Sequence, residues 1–241
     1  MNDSQIARRA IPLIDLTDLS DDCTPANIDR LVARALALPV PVAALCIWPR
    51  FVAQARAALG ASPIRLATVV NFPHGGEDIA GVCAETRAAL ADGADEIDLV
   101  LPWRALAEGR EQIARDMVAA VASCLTTGAQ LKVIIESGEL RDMDRVAGAS
   151  RIALDEGAHF IKTSTGKTKT SATPEAARVM LGVIRDHGGR KGFKASGGLR
   201  TLDQARSYLA LADEILGPEW ASPARFRFGA SSLLDPLLEA L

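Results

Sequence analysis

A chain of 241 residues, 49% hydrophobic and 24% charged, can bury a large core and has the length of one α/β barrel domain. Its formal net charge of −3 and isoelectric point near 5.7 supply no overall basic field to draw nucleic acid or an anionic membrane, so an anionic substrate would have to be held by local groups. The amino-terminal stretch has no apolar run long enough for a signal peptide, since Asp15 interrupts it, and no segment approaches a membrane span; the expected compartment is the cytoplasm.

Strand-like apolar runs occur at residues 11–16, 41–48, 64–70, 96–101, 131–136, 159–164, 192–196 and 225–230. Between them lie amphipathic segments with helix-start signals: Thr24-Pro25, Thr173-Pro174, and Thr201 with Gln204 in the form of a capping box. Strand and helix alternate throughout, which predicts parallel pairing with helices outside, and eight such units close a (β/α)₈ barrel in a single domain. The competing fold is an open doubly wound sheet, disfavoured by the lack of a G-x-G-x-x-G after the first strand.

Taken in order, Asp15 ends the first run and either pairs with a substrate hydroxyl or a lysine, or caps the following turn. Cys46 ends the second, as a rim group or a small buried hydrophobe. The loop at 71–75 carries His74, read as structural. Cys23, Cys46, Cys83 and Cys124 are scattered and the three histidines, His74, His159 and His187, are far apart, so neither a disulfide framework nor a metal site is expected.

A faint repeat links the fourth and sixth units: Asp98 follows Gly93, and Lys162 follows Gly157, by the same five residues. Inward side chains from alternate barrel strands share a layer, which predicts Asp98 and Lys162 at one height. In this phase Ile97, Leu99 and Leu101 face the helices and Glu96, Asp98 and Val100 the interior. Glu136 closes the fifth run and is a candidate general base.

Lys194, in the seventh run, is a second inward cation beside Lys162. At roughly 5 Å and an effective dielectric near 20, two ammonium groups repel by roughly 3 kcal/mol, enough to favour loss of one proton and leave a nucleophilic amine. Asp98 opposes this, so it is expected closer to the lysine that stays charged, or to reach the site through water. The alternative is a purely structural ion network.

Three later loops suit an anion. Gly166-Lys167 follows the sixth strand, Gly197-Gly198 the seventh, and Gly229-Ala230-Ser231-Ser232 the eighth, where such barrels commonly bind phosphate through backbone N–H groups and hydroxyls. Pro236 implies that a helix begun at Ser231 is interrupted early or restarts at Asp235.

The motifs LIDLTDL, AALCIWPRF, VVNFPHG, EIDLVLPWRAL, LKVIIESGEL, FIKTSTGK, TPEAARVM, GFKASGGLRT and RFGASSLL, running from Leu13 to Leu234, resemble those of the 2-deoxyribose-5-phosphate aldolase family. The resemblance implies a class I, Schiff-base-forming aldolase that cleaves a phosphosugar on a (β/α)₈ barrel and requires neither metal nor organic cofactor. It implies that Lys162 forms the imine, Lys194 perturbs it, and Asp98 relays protons. Lys167, Gly197, Gly198, Ser231 and Ser232 then match the family's phosphate contacts, with Gly166, Gly229, Asp15 and Cys46 grouped around the substrate. Some members end in a tail tyrosine that assists proton transfer; here the only tyrosine is Tyr208, so that role falls to water or Asp98. Another imine-forming aldolase, a cofactor-free sugar-phosphate isomerase using Glu136 or Asp98, and a non-catalytic phosphosugar sensor are the alternatives. A homodimer and a monomer are both left open.

Overall fold

In a computed structural model describing residues 1–241, the alternation becomes eight parallel strands closed into a (β/α)₈ barrel in chain order. They are β1 (Ile14–Asp18), β2 (Ala44–Ile47), β3 (Arg65–Val70), β4 (Glu96–Val100), β5 (Gln130–Ile134), β6 (Phe160–Lys162), β7 (Gly192–Ser196) and β8 (Phe226–Ala230). β8 closes on β1 with Asp15 opposite Gly229. The expected starts hold because each cap satisfies amides that a helix leaves unpaired. Thr24 and Asn27 bond reciprocally at Pro25–Leu36, Thr201 and Gln204 do so at Leu202–Leu216, and Thr173 caps Pro174–Asp186.

Several strand boundaries differ from expectation: β2 starts at Ala44, β5 ends at Ile134 and leaves Glu136 outside the strand, and two further differences have consequences for the site. Ile11–Leu13 forms a 3₁₀ turn holding Pro12, which lacks the N–H that a paired strand needs, and β1 therefore runs on to Asp18. Asp15 thus lies near the start of its strand instead of its end. β6 pairs over only three residues and stops at Lys162.

Most of the core lies between the outer faces of the strands and the helices, where Ile97, Leu99 and Leu101 pack as their phase predicted, together with Ile161. The barrel interior is divided. On the β2–β3 side Ala44, Cys46, Ala67 and Val69 form a small apolar cluster beneath Trp48 and Phe72, whose rings meet edge to face at 5.5 Å. The other side is charged: Asp15, Glu96, Asp98, Lys132, Lys162, Lys194 and Arg227 are each at most 3% exposed.

The Phe160 ring lies against Gly192, its cross-strand partner, and a Cβ placed there would stand 2.3 Å from ring carbons. Gly192→Ala is therefore expected to destabilise the barrel by about 1–3 kcal/mol, seen as a lower urea midpoint at unchanged m-value.

Candidate active site

Three lysines converge on one carboxylate. Lys132 Nζ donates to Asp98 Oδ1 at 2.7 Å, while Lys162 Nζ and Lys194 Nζ both donate to Asp98 Oδ2, at 2.8 and 2.7 Å. The strand registers bring this about, since Asp98 is paired with Lys132 across β4 and β5 and Lys162 with Lys194 across β6 and β7. Asp98 and Lys162 do share a height, as the glycine-to-site spacing predicts. Asp98 is not appreciably closer to one lysine than another; the distinction is drawn by Asp15, which lies 2.6 Å from Lys194 and makes no ion pair with Lys162.

Below this layer the network continues. Arg227 donates to Asp15 Oδ1 at 2.6 Å and to Glu96 Oε1 at 2.8 Å, and Lys132 Nζ lies 2.6 Å from Glu96 Oε2. Arg65, at the lower rim and one-third exposed, reaches Glu96 from outside.

These surroundings separate the lysines. Burial, more than any other influence, holds Lys162 below the ordinary lysine range, with Lys194 adding to the effect and Asp98 opposing it. Burial acts the same way on Lys194 and Lys132, but for Lys194 the Asp15 and Asp98 charges outweigh it and hold the ammonium well above its usual range. For Lys132, Asp98 and Glu96 also outweigh burial and raise the ammonium above its usual range. Burial likewise works against the Asp98 charge, yet the three lysines hold it well below the carboxylate range. Repulsion between the two amines is thus the lesser cause of the lowering at Lys162, because the charge on Lys194 is already matched by carboxylates.

Lys162 borders a cavity of about 350 Å³ at the carboxyl ends of the strands. Gly166, Lys167, Gly197, Gly198, Gly229, Ser231 and Ser232 line the same cavity, as do Thr17, Asp18, Ser196 and Arg200. Gly166 (φ 79°), Gly197 (φ 89°) and Gly198 (φ 77°) adopt left-handed conformations that glycine tolerates best. Gly197 also lies so near Ser171 that a Cβ would come within 2.5 Å of it. Gly229 serves a second purpose: a Cβ there would stand 2.8 Å from Lys194 Cε, so its bareness makes room for the lysine stem. Lys167 Nζ pairs with the exposed Asp21 at 2.7 Å, bridging the loops after β6 and β1.

Other expected positions fall elsewhere. Asp15 and Cys46 are fully buried beneath the cavity and do not line it. Cys46 Sγ lies 4.0 Å from Asp98, and burial pushes its thiol pKa up. Ser231 and Ser232 precede a helix at Leu234–Glu239 whose first turn accommodates Pro236, so no helix starts at Ser231. Glu136 has left-handed backbone geometry (φ 54°) and accepts from the Thr165 amide at 3.2 Å and the Thr168 hydroxyl at 3.3 Å, tying two loops together. His74 is exposed and its carbonyl accepts from Arg104. Tyr208 is buried in the outer core, where burial raises its phenol to about 12.

Sequence reading missed Lys132, Arg227, Thr17, Asp18 and Arg200. Strand alternation could have found the first two, since Lys132 is the charged residue of an apolar run and Arg227 stands between Phe226 and Phe228, both in the outer core. Thr17 and Asp18 were hidden by the misplaced end of β1.

A sequence model of DeoC/LacD family aldolases matches residues 9–238. Over 238 residues the chain is 52% identical to a deoxyribose-phosphate aldolase of Agrobacterium fabrum, covering 98% of this chain and 92% of that one. Among solved structures, a Toxoplasma gondii protein assigned as a deoxyribose-phosphate aldolase superposes with a TM-score of 0.88 at 26% identity, covering 98% of this chain and 94% of that one. One from Coccidioides immitis, assigned likewise, gives 0.84 at 28% identity, covering 97% and 85%. The chain belongs to the DeoC/LacD family of aldolases. Within that family, the relatives it is similar to are deoxyribose-phosphate aldolases.

Removing the shared carboxylate should expose how much the cluster depends on it. Asp98→Asn leaves three buried lysines around a neutral amide and is expected to cost about 3–5 kcal/mol at pH 7. Lysines whose folded-state pKa falls destabilise the fold while protonated, so this loss should shrink as pH rises from the lowered folded-state pKa toward about 10, where the unfolded-state lysines begin to lose their protons too and the recovery levels off. Urea unfolding of both proteins at pH 7 and pH 10 measures the difference.

Proposed function

We propose that the protein reversibly cleaves 2-deoxy-D-ribose 5-phosphate into acetaldehyde and D-glyceraldehyde 3-phosphate, with Lys162 as the Schiff-base amine. The observation that carries this reading is the placement of Lys162. It is the one lysine of the cluster that borders the cavity and the one held below its usual range, while Lys194 and Lys132 are held above it. An amine must be unprotonated to add to a carbonyl, and burial beside a cation favours that state.

The chemistry runs from this starting point. Lys162 Nζ adds to the open-chain aldehyde; one of its protons and a second relayed from the Lys194 ammonium pass to the oxygen, which leaves as water and gives an iminium. The sugar's C3 hydroxyl loses its proton, the C2–C3 bond breaks, and the electron pair moves through C1–C2 onto the iminium nitrogen, leaving an enamine and releasing glyceraldehyde 3-phosphate. Protonation of the enamine carbon and hydrolysis of the imine return acetaldehyde and free Lys162. Lys194, whose ammonium lies beside the same Asp98 oxygen as Lys162, acts with Asp98 and a water molecule to move these protons. The imine is itself the electron sink.

The phosphate is held at the far side of the cavity by Lys167, the amides around Gly166, Gly197 and Gly198, and the hydroxyls of Ser231 and Ser232, with Arg200 as a further cation. An isomerase would need a carboxylate free to take a proton. Neither Asp98 nor Glu136 lines the cavity to reach a substrate proton, whereas Lys162 borders it, which favours the imine mechanism.

Borohydride reduction in the presence of acetaldehyde is expected to leave a two-carbon adduct on Lys162 by peptide mass mapping; an adduct confined to another lysine would refute the assignment. Lys167→Ala removes one charge-assisted phosphate contact and is expected to raise KM about tenfold with a smaller change in kcat, measured by coupled detection of glyceraldehyde phosphate.

A further inference from the structure

The sealed interior of the barrel holds four cations, Lys132, Lys162, Lys194 and Arg227, against three carboxylates, Asp15, Glu96 and Asp98. A buried charge is tolerated when it is paired, so one cation is in excess. Arg227 cannot release its proton. Lys132 has Glu96 at 2.6 Å, Asp98 at 2.7 Å and Asp15 at 3.8 Å. Lys194 has Asp15 and Asp98 at 2.6 and 2.7 Å. Lys162 has Asp98 alone, at 2.8 Å, and shares the accepting oxygen with Lys194. The excess therefore falls on Lys162. Of the remaining titratable groups around it, Cys46 is a buried thiol and Arg65 meets Glu96 from the solvated rim; Glu136, a buried carboxylate on the loop after β5 whose charge also acts on Lys162, is bonded by Thr165 and Thr168, is pushed by burial toward its neutral form and makes no ion pair, so the excess within the barrel stands.

We infer that Lys132 and Arg227, neither of which lines the cavity, are positioning residues that determine the ionisation of Lys162 by occupying the interior carboxylates. This deepens the proposed function, on which its kinetic consequence rests. If either remote cation is removed, three cations face three carboxylates, Lys162 becomes the partner that Asp98 requires, and it keeps its proton. Removing a carboxylate as well restores the excess.

The test uses full-length protein with lysine ¹³C-labelled at the ε-carbon, the Lys162 resonance being assigned by its absence in Lys162→Met. In Lys132→Met the Lys162 titration midpoint is expected to rise by about one pH unit or more, and the acidic limb of kcat/KM to follow it, so that rate falls about tenfold at pH 7 and recovers at high pH. Lys132→Arg is expected to return the midpoint toward that of the unaltered protein, and so is Lys132→Met combined with Glu96→Gln, a rescue that a merely structural role would not give. Should Lys132→Met fail to fold, Arg227→Gln carries the same expectation. A folded variant of either kind whose Lys162 midpoint does not move would overturn the inference. A moved midpoint in a protein that releases no acetaldehyde would retain the inference and remove the proposed function, whereas an active aldolase with an unmoved midpoint would do the reverse.

Discussion

The pairing of one buried carboxylate with three lysines is the constraint to which the rest of the interior answers. An Asp98 charge sealed from water is tolerable only because Lys132, Lys162 and Lys194 each donate to it, and each lysine is tolerable only where a carboxylate meets it. The arrangement requires that β4, β5, β6 and β7 hold their registers, since a slip of one residue would turn a charged side chain out among the helices. Closure of the barrel fixes those registers together, so the fold and the chemistry share a single geometric requirement.

The divided interior follows from the same constraint. Small apolar residues on β2 and β3 leave the charged side chains of the other strands space to reach one another, and they seal that side from water without competing for hydrogen bonds. Gly229 contributes by omission, clearing the path that Lys194 takes toward Asp98 and Asp15. The cavity then opens above Lys162, between loops whose polar groups line it.

Much of this was legible in the sequence because it rests on period and spacing. Alternation placed Ile97 and Leu99 outside and Asp98 inside, and the repeat around Gly93 and Gly157 put Asp98 level with Lys162. What was not legible depends on closure. That Asp15 meets Lys194 and Arg227 follows from β1 pairing with β8, which only the completed barrel brings together. The end of β1 was misjudged because a prolyl 3₁₀ turn at Ile11–Leu13 has the same apolar appearance as a strand, and this hid Thr17 and Asp18 from view. Lys132 was passed over because one charged residue in an apolar run resembles a strand edge until its neighbours are known.

The brevity of β6 has a bearing on speed as well as on shape. Lys162 occupies its last paired position, with Ile134 on one side and Lys194 on the other, and its carbonyl accepts from the Ile135 amide while the next residue, Thr163, donates to the Lys194 carbonyl. The backbone beneath the amine is therefore clamped from two directions, while the chain beyond it departs as loop. A lysine side chain that is ordered surrenders about 1.5–2 kcal/mol of rotamer freedom, and here that loss accompanies folding instead of recurring at every turnover. Carried on so short a ladder, the Lys162 amine is presented to the cavity already aimed.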